Sequence, residues 1–478
     1  MLLRSTPARR APRSKAAQVP TLSPADALEC SAAMPTQYSG TPNQRSLADR
    51  PTVPALRTMP TDSTPDSTPP GSLPSDPPYM TRGSARYRRA SIALFCAGFG
   101  IFSMLYCVQP LLPLLSEYWQ VTPAQSSLSV SVTTAALAFS IIGIGMHADR
   151  VDRKVLMSAA LMLGVLCTFA VALSPSWPAL IGLRLLEGVV LGGAPAVAMA
   201  YLAEEVHAQS LGFAMGLYVG GTAIGGMSGR VLTGLAADFF GWRVALGVAA
   251  SAALIAGLVF VKLLPPSTHF NKRQGNAGSL FKTLVAEARN TALLRLLALA
   301  FLVMGSFVSI YNYASFRLGA PPYSLSQTAI GAIFVVYLLG SGASTAFGRL
   351  ADRFGRRPVL LAGASVMAAG VLLTLSAPLA LIILGIAVMT VGFFGAHSVA
   401  SATVGRVARG PKAQAASLYL LSYYLGSSVL GSLGGTFYRI AGWPGVVGMV
   451  TAALLLAVVT MAWPSRTAGA PPKHPGHA

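Results

Sequence analysis

The sequence predicts an all-α integral membrane protein of twelve spanning helices, built as two bundles of six. Three observations carry this expectation. Hydrophobic residues make up 53% of the 478-residue chain and charged residues only 10%, against about 25% charged in a soluble domain. Apolar windows of about 20 residues recur almost end to end, each long enough to cross a hydrocarbon core about 30 Å thick. Finally, the polar loop Gly145-Met146-His147-Ala148-Asp149-Arg150-Val151-Asp152-Arg153-Lys154 has a second copy, Gly348-Arg349-Leu350-Ala351-Asp352-Arg353-Phe354-Gly355-Arg356-Arg357, at an offset of 352 − 149 = 203 residues. A loop repeated once per half marks an internal duplication.

Residues 1–85 are rich in Pro, Ser, Thr, Ala and Arg and lack apolar periodicity. They bury too little surface to offset chain entropy and are expected to be a disordered extension. Arg9-Arg10 has no apolar core or small-residue cleavage site close behind it, so it does not read as an export signal. Met80 stands just before the first span and is an alternative start.

Six spans are then expected at 91–115, 126–147, 155–174, 178–203, 210–236 and 243–263, forming an N-terminal bundle over residues 86–263. The basic stretch 264–292, with Lys272, Arg273, Lys282 and Arg289, reads as a central loop. Six further spans follow at 293–317, 327–348, 358–376, 379–403, 413–438 and 445–463, the C-terminal bundle over 293–463. Residues 464–478 read as a polar tail. The repeat extends beyond the loops. Gly216-Leu217-Tyr218 and Phe240-Gly241-Trp242 align with Ser417-Leu418-Tyr419 and Ala441-Gly442-Trp443, at an offset of 417 − 216 = 201.

The net charge of +20 does not point to nucleic acid, because no basic folded module stands outside the spans. The basic residues gather on one side: Arg82, Arg86, Arg88 and Arg89, both loop copies, the central loop, and Arg406, Arg409 and Lys412. The other side receives little more than Arg243, Arg317 and Arg439. This asymmetry places both termini in the cytoplasm. Cys30, Cys96, Cys107 and Cys167 show no C-x-x-C spacing and make neither a disulfide framework nor a zinc site. No phosphate-cradling loop, H-E-x-x-H or G-x-S-x-G is present, so neither direct use of ATP nor enzymatic chemistry is expected, and no cofactor. Energy for any transport must come from a gradient.

Paired bundles suggest a carrier that rocks between two openings. Its loops then need reversible contacts. Gly145 and Gly348 leave room for a neighbouring backbone. Asp149 and Asp352 suit a helix N-terminus. Arg150, Arg153, Lys154, Arg353, Arg356 and Arg357 offer ion pairs, or serve only as topology anchors. In the fourth span Arg184 and Glu187 are three residues apart and share one helix face. A charge inside a span costs about 2.5–3.5 kcal/mol on insertion scales. Arg184 therefore reads as a coupling or cavity residue, with a packing pair or snorkelling to the surface as alternatives. The fifth span carries Gly216, Gly220, Gly221, Gly225, Gly226 and Gly229, which suit close helix packing, as does Gly188 in the fourth. Arg230, beyond them, reads as an external gate or anchor. His397 can titrate near neutral pH or simply hydrogen-bond within the core. Glu187 is the main acid placed inside a span; Glu204, Glu205 and Asp238 lie near span ends.

The two loops resemble the signature loop of the major facilitator superfamily, G-x-x-x-D-R-x-G-R-R/K. The second copy matches fully; the first has Asp152 where glycine is usual, including the position that Gly355 fills in the second. The resemblance covers about residues 90–463. Blocks at Leu105-Tyr106-Cys107-Val108-Gln109-Pro110, Gly225-Gly226-Met227-Ser228-Gly229-Arg230, Gly395-Ala396-His397-Ser398-Val399-Ala400-Ser401 and 417–428 are similar to bacterial inner-membrane carriers grouped with drug and sugar efflux systems. The resemblance implies that Arg184 and Gly188 form an R-x-x-x-G motif linked to proton coupling. It also implies that spans 1, 4, 5, 7, 10 and 11 line a cavity. Tyr106, Gln109, Asn312, Tyr419 and Tyr423 would then bind cargo, with Glu187 and His397 beside the coupling site. The glycine run resembles an antiporter motif but lacks its proline.

The resulting expectation is a monomeric inner-membrane carrier working by alternating access, exporting a drug-like compound or sugar by proton antiport. The rivals are a proton-coupled uptake symporter or uniporter, and a non-transporting sensor on the same fold.

Overall fold

Thirteen α-helices make up the computed structural model, which describes residues 79–147, 151–269, 285–287 and 289–463. Residues 1–78 of the expected disordered extension, Asp149 and Arg150, Lys272, Arg273 and Lys282, and the tail 464–478 lie outside the described residues. The end of the extension is corrected: residues 79–85 are ordered, with Met80 buried and its backbone bonded to the Glu205 carbonyl and the His207 amide. All described residues belong to one compact unit, Pro74–Ala478. The helices are α1 Ala85–Tyr106, α2 Leu112–Trp119, α3 Pro123–His147, α4 Arg153–Ala172, α5 Trp177–Leu191, α6 Gly193–Glu205, α7 Ala208–Leu263, α8 Thr291–Gly319, α9 Gln327–Ile333, α10 Tyr337–Phe354, α11 Arg356–Leu373, α12 Leu379–Val407 and α13 Lys412–Ala462. Helices α5 and α6 share the fourth span. Helices α9 and α10, joined by the 3₁₀ turn Phe334–Val336, share the eighth.

Among the described residues, ten stretches are long and apolar enough to cross a membrane. Two of them are too long for one crossing: α7 has 56 residues and α13 has 51, and 56 residues of helix would reach about 84 Å. Each is divided by a break, at Gly241 in α7 and at Ala441-Gly442 in α13. Ten stretches with two divisions give 10 + 2 = 12 crossings. The breaks explain the repeated Gly-Trp pair. Gly241 has φ +76 and Gly442 φ +59, a backbone region that glycine enters without steric cost.

The first span departs from the expected continuous helix. Helix α1 ends at Tyr106, a turn occupies 107–111, and the short α2 follows. Pro110 has no N–H to donate and its ring blocks the preceding turn. A helix end leaves its last carbonyls without intrahelical donors, which in a membrane must be met by other parts of the protein.

Helix α1 packs on the first part of α7 through small residues. A Cβ on Gly221, Gly225 or Gly229 would come within 2.3, 2.2 and 2.6 Å of the carbonyl oxygens of Phe95, Phe99 and Ser103. The three glycines are spaced by four, so they form one face and let the two backbones approach closely. The second half repeats this, with Gly426 against the Phe301 carbonyl. The expectation for the glycine run is corrected in detail. Gly216 and Gly220 face open space with nothing within 4 Å, and Gly226 lies beside the Arg230 guanidinium. A Cβ on Gly188 would come within 2.3 Å of the Thr133 carbonyl oxygen of α3.

Candidate functional site

Arg184 of α5 is fully buried, which removes the snorkelling alternative. Its Nε donates to the Ser129 carbonyl of α3 at 2.8 Å. Nη1 donates to the Met104 carbonyl at 3.1 Å and Nη2 to that of Leu105 at 2.7 Å. These are carbonyls left free where α1 stops. The guanidinium thus caps the broken helix from the side. Nη1 also pairs with Glu187 Oε2 at 2.7 Å, and Thr168 of α4 donates to Glu187 Oε1 at 2.8 Å. One helix turn therefore ties α1, α3, α4 and α5 together through a buried ion pair. The remaining free carbonyl, that of Cys107, accepts from Thr233 at 2.8 Å.

Beyond the break, Gln109 reaches across to the second half. Its Nε2 donates to Asn312 Oδ1 at 2.7 Å. The two amides stand near equivalent places of the repeat. Their offset is 312 − 109 = 203, against 301 − 99 = 202 for the phenylalanines over Gly225 and Gly426. Arg230 of α7 donates from Nε to Gln109 Oε1 at 2.6 Å and from Nη1 to the Gly226 carbonyl at 2.7 Å. Its guanidinium carbon lies 4.3 Å from the Tyr106 ring centroid, 4.9 Å from Phe334 and 5.0 Å from Tyr337. Tyr106, Gln109, Arg230 and Asn312 are all buried.

The same end of the molecule is closed by two matched glycine contacts. A Cβ on Gly234 would sit 2.6 Å from the Gln327 carbonyl; one on Gly435 would sit 2.4 Å from Ala124 Cα. Both pairs obey the repeat, with 435 − 234 = 201 and 327 − 124 = 203. Asp238 adds a cross-half contact, accepting from the Gln327 and Thr328 amides at 2.8 and 2.7 Å. These amides open α9, where the helix dipole favours an anion. Ser428 of α13 donates to the Ser131 carbonyl of α3 at 2.7 Å.

Toward the other end, His397, Tyr419 and Tyr423 line a pocket with Phe393, Leu299 and Met304. Leu299 and Tyr419 lie within about 12 Å of the loop-side starts of α8 and α13, at 1.5 Å per residue. His397 Nδ1 is 3.0 Å from the Tyr419 hydroxyl, and its ring stacks on Phe393. The expected cavity residues thus fall into two groups. Tyr106, Gln109 and Asn312 are in the closure, whereas Tyr419 and Tyr423 are in the pocket.

The described loop residues make contacts within their own halves. Asp152 accepts from the Lys154 and Val155 amides at 2.8 and 3.1 Å and so N-caps α4. Its counterpart Gly355 begins α11 with φ +87 instead. The two copies start the same helix by different means. Arg153 pairs with Glu204 at 2.8 Å, and Arg356 lies 3.5 Å from Thr403. Lys154 Nζ donates to the Leu264 carbonyl at 2.6 Å. Its counterpart Arg357 donates to the Met461 carbonyl at 2.8 Å. Each thereby caps the last helix of its own half with a cation. Asp352 and Arg353 are exposed, and no hydrogen bond or ion pair joins the Asp352 side chain to another described residue. Gly348 has nothing within 4 Å, and Gly145 lies near the end of α3.

The sequence reads Arg230 as an external gate or anchor and does not single out Phe334, Tyr337, Gly234 or Gly435. The matched small residues at the repeat offset are the signal that could have found the glycine pair.

A family model described as Major Facilitator Superfamily matches residues 92–323 and 320–477. The sequence is 43% identical to the "uncharacterized MFS-type transporter YybF" of Bacillus subtilis, over 83% of this chain and 98% of that protein. It is 42% identical to the inner membrane transport protein YnfM of Escherichia coli, over 80% of this chain and 91% of that one. Among solved structures, the nucleoside transporter NupG superimposes with a TM-score of 0.66 at 13% identity, covering 78% of this chain and 98% of that one. A D-xylose-proton symporter does so with 0.63 at 14% identity, covering 79% and 97%. These two likenesses concern the fold alone.

Proposed function

We infer that this chain, which belongs to the major facilitator superfamily, carries a small molecule across the bacterial inner membrane by alternating access and exports it in exchange for protons. The observation that carries the reading is the one-ended closure. The halves are held at one end by Gly234 on Gln327, Gly435 on Ala124 and Gln109 on Asn312. At the loop end Asp352 is exposed, and the His397–Tyr419 pocket lies on that side. With the basic loops in the cytoplasm, as their charge favours, this end opens inward and leaves the cargo site within reach of the cytoplasm; export is the direction in which cargo loads in this state and a proton returns.

Glu187 supplies the proton site. It stands mid-span, buried against Arg184 and Thr168. A proton there neutralises the carboxylate and loosens its hold on Arg184. Arg184 in turn holds the Met104 and Leu105 carbonyls, directly ahead of the turn that carries Gln109. Proton occupancy is thus linked to the α1 break and, through Gln109, to the closure.

The test uses purified protein in liposomes with a pH-reporting dye inside. A panel of ethidium, chloramphenicol, arabinose and small organic acids is supplied under an imposed ΔpH. The expected result is cargo-dependent proton movement that Glu187→Gln abolishes while cargo counterflow persists. Cargo flux that ignores ΔpH in the wild type would sink proton coupling and leave a facilitator. Proton and cargo moving in the same direction would make it a symporter.

A further inference from the structure

Arg230 is a buried cation without a counter-ion. It is 2% exposed. Its hydrogen-bond partners among the described residues are neutral: the Gln109 amide oxygen and the Gly226 carbonyl, with three aromatic faces around it. Among the described residues no carboxylate pairs with it, in contrast to Arg184, whose partner Glu187 is 2.7 Å away. Ring faces and neutral acceptors offset part of the cost of burying a guanidinium. They leave its full positive charge in place.

One amide away, a donor is unused. Asn312 Nδ2 is buried without a hydrogen-bond partner, while its Oδ1 accepts from the Gln109 amide that also holds Arg230. The Tyr106 hydroxyl and Ser427 serve each other. Asn312 Nδ2 can only donate. A buried cation with an unused donor across one shared amide lacks one thing, an anionic oxygen group. An aromatic path then leads away from the charge. The Tyr337 ring, 5.0 Å from the guanidinium carbon, is 5.5 Å from Phe307. Phe307 stacks on Phe393 at 3.8 Å, and Phe393 reaches His397 in the pocket at 5.8 Å.

We propose that Arg230 and Asn312 form the recognition site for a small organic anion, a carboxylate on an apolar or aromatic body, which enters from the side of His397 and Tyr423. This rests on the carrier reading above and specifies its cargo. The carboxylate sits on the free side of the Arg230 guanidinium and takes the Asn312 Nδ2 proton donor. Its body lies along the Tyr337–Phe307–Phe393 wall. Cargo therefore bridges the two halves, Arg230 belonging to the first and Asn312 to the second.

The test is binding to the purified full chain in neutral detergent, read by calorimetry. The probes are phenylacetate, its neutral isostere phenylacetamide, and the cation phenethylamine. Phenylacetate is expected to bind at least about tenfold more tightly than phenylacetamide, and phenethylamine not to bind. Gln109→Glu is the sharper variant. It sets an isosteric carboxylate 2.6 Å from Arg230 Nε, and a half-turn of the Asn312 amide keeps the cross-half bond. Phenylacetate affinity should fall about tenfold or more while the phenylacetamide affinity stays, and the protein should melt at a higher temperature. Arg230→Met should lose phenylacetate equally, with its elution profile reporting whether it folds.

Equal affinity for the anionic and neutral probes overturns the proposal. So does failure to bind any carboxylate from acetate to naphthylacetate, or full phenylacetate affinity in Gln109→Glu. Counterflow of labelled phenylacetate in liposomes separates the two readings. Charge-selective binding without counterflow leaves the anion site and removes the carrier. Carrier activity on ethidium or arabinose that is indifferent to Gln109→Glu leaves the carrier and removes the anion site.

Discussion

Arg184→Ala is expected to destabilise the protein by roughly 3–5 kcal/mol, the range seen when one partner of a buried ion pair is removed. Two losses combine. Glu187 is left as an unpaired buried carboxylate, and the Ser129, Met104 and Leu105 carbonyls lose their donor. Water cannot replace that donor inside the bilayer. Glu187→Gln also leaves a buried charge, but a better-solvated one: it should cost less, about 1.5–3 kcal/mol, the range for a hydrogen bond to a charged group, because the amide oxygen still accepts from Thr168 and Arg184 keeps its three carbonyls. The pair of variants separates structure from coupling. Thermal unfolding of the purified protein, followed by size-exclusion chromatography, measures the first. The liposome assay measures the second. If Arg184→Ala melts within a degree or two of Glu187→Gln, the guanidinium does not cap α1, and the link from Glu187 to the closure is lost with it.

Much of this architecture can be read from residues alone, and the parts that cannot have a common cause. The twelve crossings follow from apolar length, and the Gly-Trp repeat marks the two breaks that divide the longest helices. Pro110 is a visible breaker, yet the apolar pattern runs straight through it. Hydropathy reports solvent, not backbone continuity. In the glycine run, 216 and 220 lie four apart, as do 221, 225 and 229. Period alone offers two faces and does not say which one meets α1. Arg230 is harder still. Its rings come from Tyr106 in one half and Phe334 and Tyr337 in the other, far away in sequence. Phe334 and Tyr337 read like lipid-facing aromatics until a cation is set against them. Asp352 is another case. The repeat puts it at the end of α10, where it is exposed, and loop spacing alone does not say which helix N-terminus an exposed carboxylate would meet.

The glycine pair at the closure should govern which end is open. Gly234→Val and Gly435→Val are each expected to shift the equilibrium away from the closed end, and the double variant to invert it. The new Cβ atoms would lie 2.6 Å from the Gln327 carbonyl oxygen and 2.4 Å from Ala124 Cα. Both obstacles are backbone, which cannot swing aside. Overpacking of this kind costs about 1–3 kcal/mol per site. Two sites therefore approach the ~5.5 kcal/mol that turns a 1:99 population into 99:1. The cost falls on one state only, since an opened end separates α7 from α9 and α13 from α3. The readout is a cysteine placed at Ser131, which is buried in this closure, in a background with Cys30, Cys96, Cys107 and Cys167 replaced. A membrane-impermeant maleimide should label it slowly in the parent and about 100-fold or more faster in the double variant. Gly216→Val and Gly220→Val are the controls, because their faces are open. They should leave labelling unchanged. Equal labelling in the parent and the double variant, with both proteins eluting as folded species, would mean that the closure is made elsewhere. The Gln109–Asn312 bond and the Asp238 cap of α9 would then be the contacts to break next.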